Sequence, residues 1–272
     1  MTPAAAAVGW LSMAPVKSLR IQEISEVHLG PDGVDGDRRF LLSDSNGHLF
    51  NGKRLGALMQ VIAESAPPET ALTLRFPDGE VVSGDVELGA RTTVLAYREL
   101  RPVRAVIGPW SEALSAFAGV DVRLVQPLEG GGGVDRYPGG GVTMLSAASV
   151  EALAGAAGLT VVDRRRFRMN VGLEGPAAFE EDEWLGRVVA IGEATVRVNG
   201  NVGRCAVTTE NPVTGVADLR TLHLLGDLRA GAPSTEPLPF GVWGEVIQPG
   251  RDRLGDAARR WGSPMRQVCF RS

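Results

Sequence analysis

The chain has 272 residues, of which 44% are hydrophobic and 22% charged, enough apolar material for one large domain or two moderate ones and too much for a disordered chain. Twenty-eight basic against 32 acidic side chains leave a net charge of −4, which gives no global electrostatic reason to bind nucleic acid or an anionic membrane. Thirty-five glycines and 17 prolines without a collagen-like period point to many turns and short strands. The uncharged opening stretch Ala4 to Val16 is too short to span a bilayer and has no basic segment before it, so a soluble, cytoplasmic protein with no membrane partner is expected.

From Val8 to Phe76 short apolar runs alternate with turn residues. Val8–Met13, Glu26–Leu29, Arg39–Leu42 and His48–Phe50 read as strands, and Asn46-Gly47 reads as a tight hairpin. A second hairpin joins Leu72–Phe76 to Glu80–Ser83 through Pro77-Asp78-Gly79. The first hundred residues therefore read as an antiparallel sheet curled into a barrel. Pro109, then Trp110, Leu114 and Phe117 at helical spacing, predict a short helix stopped by Gly119. Val120–Val125 predicts a strand, and the glycine runs at 130–133 and 139–141 predict a linker or loop. Ser146 to Ala157 is the clearest helix, capped by Ser146 or Ser149 and stopped by Gly158. Beyond it strands are predicted at Asn170–Leu173, Val188–Ile191, Ala194–Val198 and Val242–Ile247.

The familiar catalytic signatures are absent: there is no phosphate-binding G-x-x-x-x-G-K-[ST], no G-x-S-x-G elbow and no H-E-x-x-H pair. The three histidines, His28, His48 and His223, lack the spacing of a metal site. Two cysteines, Cys205 and Cys269, are too few for a disulfide scaffold or a four-thiolate site within this chain. Positive charge is concentrated at Arg164, Arg165, Arg166 and Arg168. Planar guanidinium forks grip phosphate, although a solvated loop is the plainer account of such a run. Lys17-Ser18 after a strand end poses the same choice between a phosphate contact and a surface turn. Cys205 follows Gly203-Arg204, and a neighbouring arginine favours the thiolate, the form that attacks or binds metal; a buried inert cysteine is the alternative. Cys269, near the chain end, reads as a bystander.

In order along the chain, Pro15-Val16-Lys17-Ser18, Gly33 with Asp37-Arg38, Leu145-Ser146-Ala147-Ala148-Ser149 and Arg166-Phe167-Arg168-Met169-Asn170 resemble the MOSC family, the molybdenum-cofactor sulfurase C-terminal-like proteins. Phe179-Glu180-Glu181-Asp182 with Trp184, Arg204-Cys205, Asn211-Pro212-Val213-Thr214-Gly215, Phe240-Gly241-Val242-Trp243 and Gln248-Pro249-Gly250 continue the resemblance. Within the family the pattern is similar to the amidoxime-reducing components and their bacterial homologues, except that Met169 stands where those reductases often have proline. The resemblance implies a mainly β fold with a few helices (α+β): an N-terminal MOSC β-barrel domain, 1–128, packed on a β-barrel MOSC domain, 129–272.

It further implies a pterin molybdenum cofactor (Mo-molybdopterin), its phosphate held at Lys17, Ser18 and Arg38, with further contacts from Ser146, Arg168 and Asn170. Cys205 matches the thiolate that ligates molybdenum. The implied activity is two-electron removal of oxygen from a small-molecule substrate, an N-hydroxylated compound or an N- or S-oxide, with the glycine-rich loop at 130–141 as a gate. Because the sequence ends at Ser272 without further cysteines, electrons are expected from a separate donor protein. Two other readings share the family: a persulfide on Cys205 that is passed to an acceptor, and a non-enzymatic protein that binds the cofactor.

Overall fold

A computed structural model of the chain describes residues 6–65, 68, 70–128 and 141–260. The fold is mainly β. Its centre is a closed barrel of seven strands in the order Val171–Glu174, Val142–Ser146, Pro239–Gln248, Ala194–Gly203, Val188–Ile191, Ala257–Arg260 and Ala6–Met13, the last pairing back to the first. Closure depends on Ala6–Met13, which pairs with Ala257 and Ala258 on one edge and with Val171–Glu174 on the other. A strand from the start of the chain is thus built into a barrel whose other staves follow residue 141.

Six of the seven contacts are antiparallel; Val142–Ser146 runs parallel to Val171–Glu174. Parallel neighbours need a crossover, and the helix Ala147–Ala156 lies within it. Ser146 caps this helix by accepting from the Ser149 backbone N–H at 3.1 Å, and Gly158 follows it in the left-handed region at φ +67°. Val142–Ser146 is buried along its whole length. Val142 and Met144 point into the barrel core with Val171, Val196 and Val242, whereas Leu145 joins Leu153, Phe167 and Phe240 beneath the helix.

The N-terminal half surrounds a second core, which includes Phe40, Leu42, Leu72, Trp110 and Leu114. A five-stranded sheet runs Glu87–Ala96, Glu99–Ile107, Val122–Pro127, Leu41–Asp44, Leu49–Phe50. It curls until its two edges meet, where the Leu95 N–H donates to the Gly47 carbonyl at 2.8 Å. A three-stranded meander, Ile62–Glu64, Ala71–Arg75 and Val81–Asp85, covers it. The helix Trp110–Ala118 seals the core, with Trp110 Nε1 donating to the Leu72 carbonyl at 3.0 Å. A fourth sheet crosses the halves: Gly250–Arg253 pairs with Glu26–Gly30, which pairs with Gly33–Val34.

The hairpins at Asn46-Gly47 and Pro77-Asp78-Gly79 form as read from the sequence, with Gly47 and Gly79 at φ +74° and +96°. Several elements escaped that reading, among them the barrel staves Val142–Ser146 and Ala257–Arg260. The helix Thr221–Leu228 lies where only strands and turns were expected. The ribbon of Glu87–Ala96 on Glu99–Ile107 turns through Tyr97 and Arg98, neither a usual turn residue, at φ +52° and +76°. Of the glycine-rich stretch only Gly141 is described, bridging to Gly33; the rest, and the gate expected of it, lie outside the described residues. No helix among the described residues is long and apolar enough to cross a membrane.

The loop around Gly56 and the Asn211–Gly215 turn meet backbone to backbone. Arg20 Nη2 and Gln60 Nε2 donate to the Val213 and Thr214 carbonyls at 3.0 and 2.9 Å. A Cβ on Gly56 would stand 2.1 Å from the Gly215 carbonyl oxygen, and neither backbone can yield cheaply. Gly56→Ala is therefore expected to cost about 1–3 kcal/mol, read as a lower denaturation midpoint.

Candidate functional site

The site begins with two loops zipped together. The Lys17 N–H donates to the Phe40 carbonyl at 2.9 Å, Phe40 N–H to Pro15 O at 3.0 Å, and Arg38 N–H to Ala14 O at 2.7 Å. Asp37, fully buried, locks them: its Oδ1 accepts from Ala14 N–H at 2.8 Å, and its Oδ2 accepts from the Arg38 guanidinium and from Asn170 Nδ2 at 2.9 Å. Asn170 also donates to the Ser12 carbonyl at 3.3 Å and accepts from Thr143 Oγ1 at 2.8 Å. Arg38 extends the network by donating through Nη2 to the Arg168 carbonyl at 2.8 Å.

Lys17, Ser18, Arg38, Arg168 and Cys205 line one cavity of about 170 Å³. Sequence reasoning missed Tyr97, which stands in the same wall. Ser18, Arg38, Tyr97 and Arg168 have positive φ, four of the seven non-glycine residues in that region among the described residues. Such backbone costs about 1–3 kcal/mol per residue and persists where the surroundings fix it, commonly at functional sites.

Six basic side chains face this cavity, Lys17, Arg38, Lys53, Arg166, Arg168 and Arg204, against one carboxylate, Glu236. Burial, with Arg38 and Arg168 nearby, pushes Lys17 well below the ordinary lysine range. Burial and the Arg38 charge bring Arg168 down to about 9, and burial brings Arg204 down to about 9. Both guanidinium groups remain cationic at neutral pH. Arg168 Nη2 is buried without a hydrogen-bond partner. A desolvated cation with a spare donor is expensive, and an anion in the cavity would relieve it.

The four arginines of the 164–168 run have different roles. Arg164 pairs with Glu23 at 2.8 Å and lies over the Trp10 ring, and Arg165 pairs with Asp163 at 2.6 Å. Arg166 reaches Asp218 at 2.8 Å and the Glu210 carbonyl at 2.8 Å. Two donors of the run stay unspent, Arg166 Nε and Arg168 Nη2, and both side chains line the cavity.

Arg204 adjoins Cys205 in sequence, but its hydrogen bonds run inward, to the Phe240 carbonyl at 2.9 Å, the Phe167 carbonyl at 2.9 Å and Met169 Sδ at 2.8 Å. Cys205, half-buried, sits at the head of the turn Ala206–Thr209, where the Thr208 N–H donates to its carbonyl at 3.0 Å. Cys269 lies outside the described residues. Ser146 and Asn170 stand apart from the cavity wall: the Ser146 hydroxyl caps its helix and bonds Ser149 Oγ at 2.7 Å, and Asn170 acts one layer back, through Asp37.

The MOSC N-terminal beta barrel domain matches residues 5–102 and the MOSC domain matches residues 137–259. The chain belongs to the MOSC-domain family and carries both of its parts. It is 34% identical over 100 residues to mitochondrial amidoxime reducing component 2 of Rattus norvegicus and 36% identical over 100 residues to the Homo sapiens protein of that name. Each match covers 35% of this chain and 29% of the relative, so it spans less than a third of those relatives' length. Among solved structures, the YUAD protein from Bacillus subtilis is 12% identical, covers 93% of this chain and 94% of that one, and has a TM-score of 0.45. YiiM from Geobacillus stearothermophilus is 15% identical over 65% of this chain and 73% of its own, with a TM-score of 0.34.

Two predictions follow from the charges. Asp37→Ala leaves the Arg38 guanidinium without its buried partner and should cost about 3–5 kcal/mol, measured by chemical denaturation. Glu210, with one carboxylate oxygen buried and unpartnered, is pushed by burial from 4.5 to about 7, against the pull of Arg168. The folded state then binds this proton more tightly than the unfolded chain does, so stability falls as pH rises from about 4.5 to about 7. Asp252 is also raised to about 7, so the measurement is the difference between wild type and Glu210→Gln. The variant should lose part of that fall and gain stability relative to wild type above pH 7.

Proposed function

We propose that the chain is a molybdenum-cofactor-dependent reductase that removes oxygen from N-hydroxylated compounds or N- or S-oxides. The observation that carries this reading is the pairing, in one cavity, of a buried cationic cluster with a half-buried thiol. Arg168 Nη2, buried and unpartnered, with Lys17 and Arg38 beside it, suits a phosphate monoester. Cys205 is a soft ligand. Among the described residues no group of three or more His, Cys, Asp or Glu side chains is placed to hold a metal ion. A metal held through Cys205 therefore needs donors of its own, and a pterin dithiolene brings two sulfurs. The names of the amidoxime reducing relatives favour a reductase over sulfur transfer.

When bound, such a cofactor supplies two-electron oxygen-atom transfer. This chain's own residues do the holding. Lys17, Ser18, Arg38 and Arg168 would take the phosphate, the first by charge and the arginines by charge and donor geometry. Asp37 and Asn170 fix the Arg38 fork so that it arrives preorganised. Arg204, bound to three backbone and side-chain acceptors, holds the segment leading into Cys205 against Phe167 and Phe240. The electrons are proposed to come from a separate donor protein.

The test is metal analysis of protein made in a host competent for cofactor synthesis, followed by reduction of a simple amidoxime with a chemical electron donor. Molybdenum in near-stoichiometric amount and turnover are expected. Cys205→Ala should abolish turnover, while Cys269→Ala should not. Protein without molybdenum would overturn the reading in favour of sulfur transfer, and molybdenum without turnover would leave cofactor binding alone.

A further inference from the structure

The turn of the ribbon Glu87–Ala96 and Glu99–Ile107 contains two residues, Tyr97 and Arg98, both with left-handed backbone at φ +52° and +76°. This is the type I′ arrangement, for which glycine, asparagine and aspartate are the ordinary choices. The hairpins at Asn46-Gly47 and Pro77-Asp78-Gly79 instead put glycine at the left-handed position, Gly47 and Gly79. Tyrosine has no local reason to accept the conformation.

Its ring supplies a reason. Tyr97, 37% exposed, stands in the wall of the cationic cavity, and the Lys17 ammonium lies over its face at 5.5 Å from the ring centroid. Lys17 is 7% exposed and neighboured by the charges of Arg38, Arg168 and Arg101, all of which repel it. The negative face of an aromatic ring attracts an ammonium without neutralising it. A carboxylate in the same place would hold Lys17 more tightly but would compete with an incoming anion.

We propose that Tyr97 is a positioning residue: its ring face holds the Lys17 ammonium in the cavity, ready for a phosphate group, and the ribbon turn keeps a strained tyrosine for that purpose. This inference rests on the proposed function only in taking the ligand to carry a phosphate.

The test uses inorganic phosphate as the probe, titrated into the full chain by calorimetry, with thermal denaturation of the same samples. Tyr97→Asn suits the turn better than tyrosine does, so its melting temperature should equal or exceed that of wild type, while phosphate binding weakens about 2- to 30-fold. Tyr97→Phe, which keeps the ring, should restore wild-type binding. Opposite movements of stability and affinity are not the signature of a merely structural residue. Unchanged binding in Tyr97→Asn, equal losses in the asparagine and phenylalanine variants, or no phosphate binding by wild type would each overturn the proposal. Molybdenum content is measured separately. A chain that holds no molybdenum yet shows the ring-dependent phosphate binding would fail the cofactor reading and keep this one.

Discussion

A single buried carboxylate, Asp37, organises the site. It accepts hydrogen bonds from the Ala14 backbone, the Arg38 guanidinium and the Asn170 amide, and these three groups come from three separated stretches of chain. Ala14 follows the first barrel strand, Arg38 lies in the loop leading to the N-terminal sheet, and Asn170 precedes the strand Val171–Glu174. A carboxylate without exposure tolerates such a position only when its acceptors are filled. Satisfying Asp37 therefore fixes where the two halves meet, and the cavity is the space left along that junction.

The remainder of the site follows from this anchoring. With Arg38 committed to Asp37 and to the Arg168 carbonyl, Arg168 is held in a left-handed turn with its own guanidinium facing the cavity. Concentrating that much like charge where water screens it poorly is costly, as the lowered Lys17 and Arg168 show. Stability is given up at the cavity and recovered in the surrounding cores, the usual division between a strained site and its scaffold.

Much of the fold was legible in the sequence. Gly47, Gly79 and Gly119 mark turns because each has left-handed backbone, and Ser146 marks a helix start because its hydroxyl satisfies an otherwise unpaired N–H. The ribbon through Tyr97 was not legible, since its turn lacks the glycine or asparagine that signals one and is kept by contact with Lys17 instead. The helix Thr221–Leu228 was hidden for a related reason: Arg220 before it offers no capping side-chain bond, and its place is set by packing of Leu225 under Phe167 and Phe240. In the candidate site, residue type singled out Lys17, the arginine run and Cys205, and the family resemblance added Arg38, but spacing could not separate Arg168 from Arg164 and Arg165, which are spent on Glu23 and Asp163. Nor could it tell that Ser146 and Asn170 work behind the wall.

The position of the first strand has a consequence for how the protein forms. Ala6–Met13 is the stave between Val171–Glu174 and Ala257–Arg260, so a strand made early pairs with one that emerges only after most of the other staves. Contacts of such sequence separation are slow to find because a long loop must close before they form. During synthesis the N-terminal half can gather its own core around Trp110 and Phe40 while its leading strand has only Gln22–Ile24 beside it. Barrel closure and assembly of the cavity then become one late event, and the chemistry of the site is available only once synthesis has passed Ala257–Arg260.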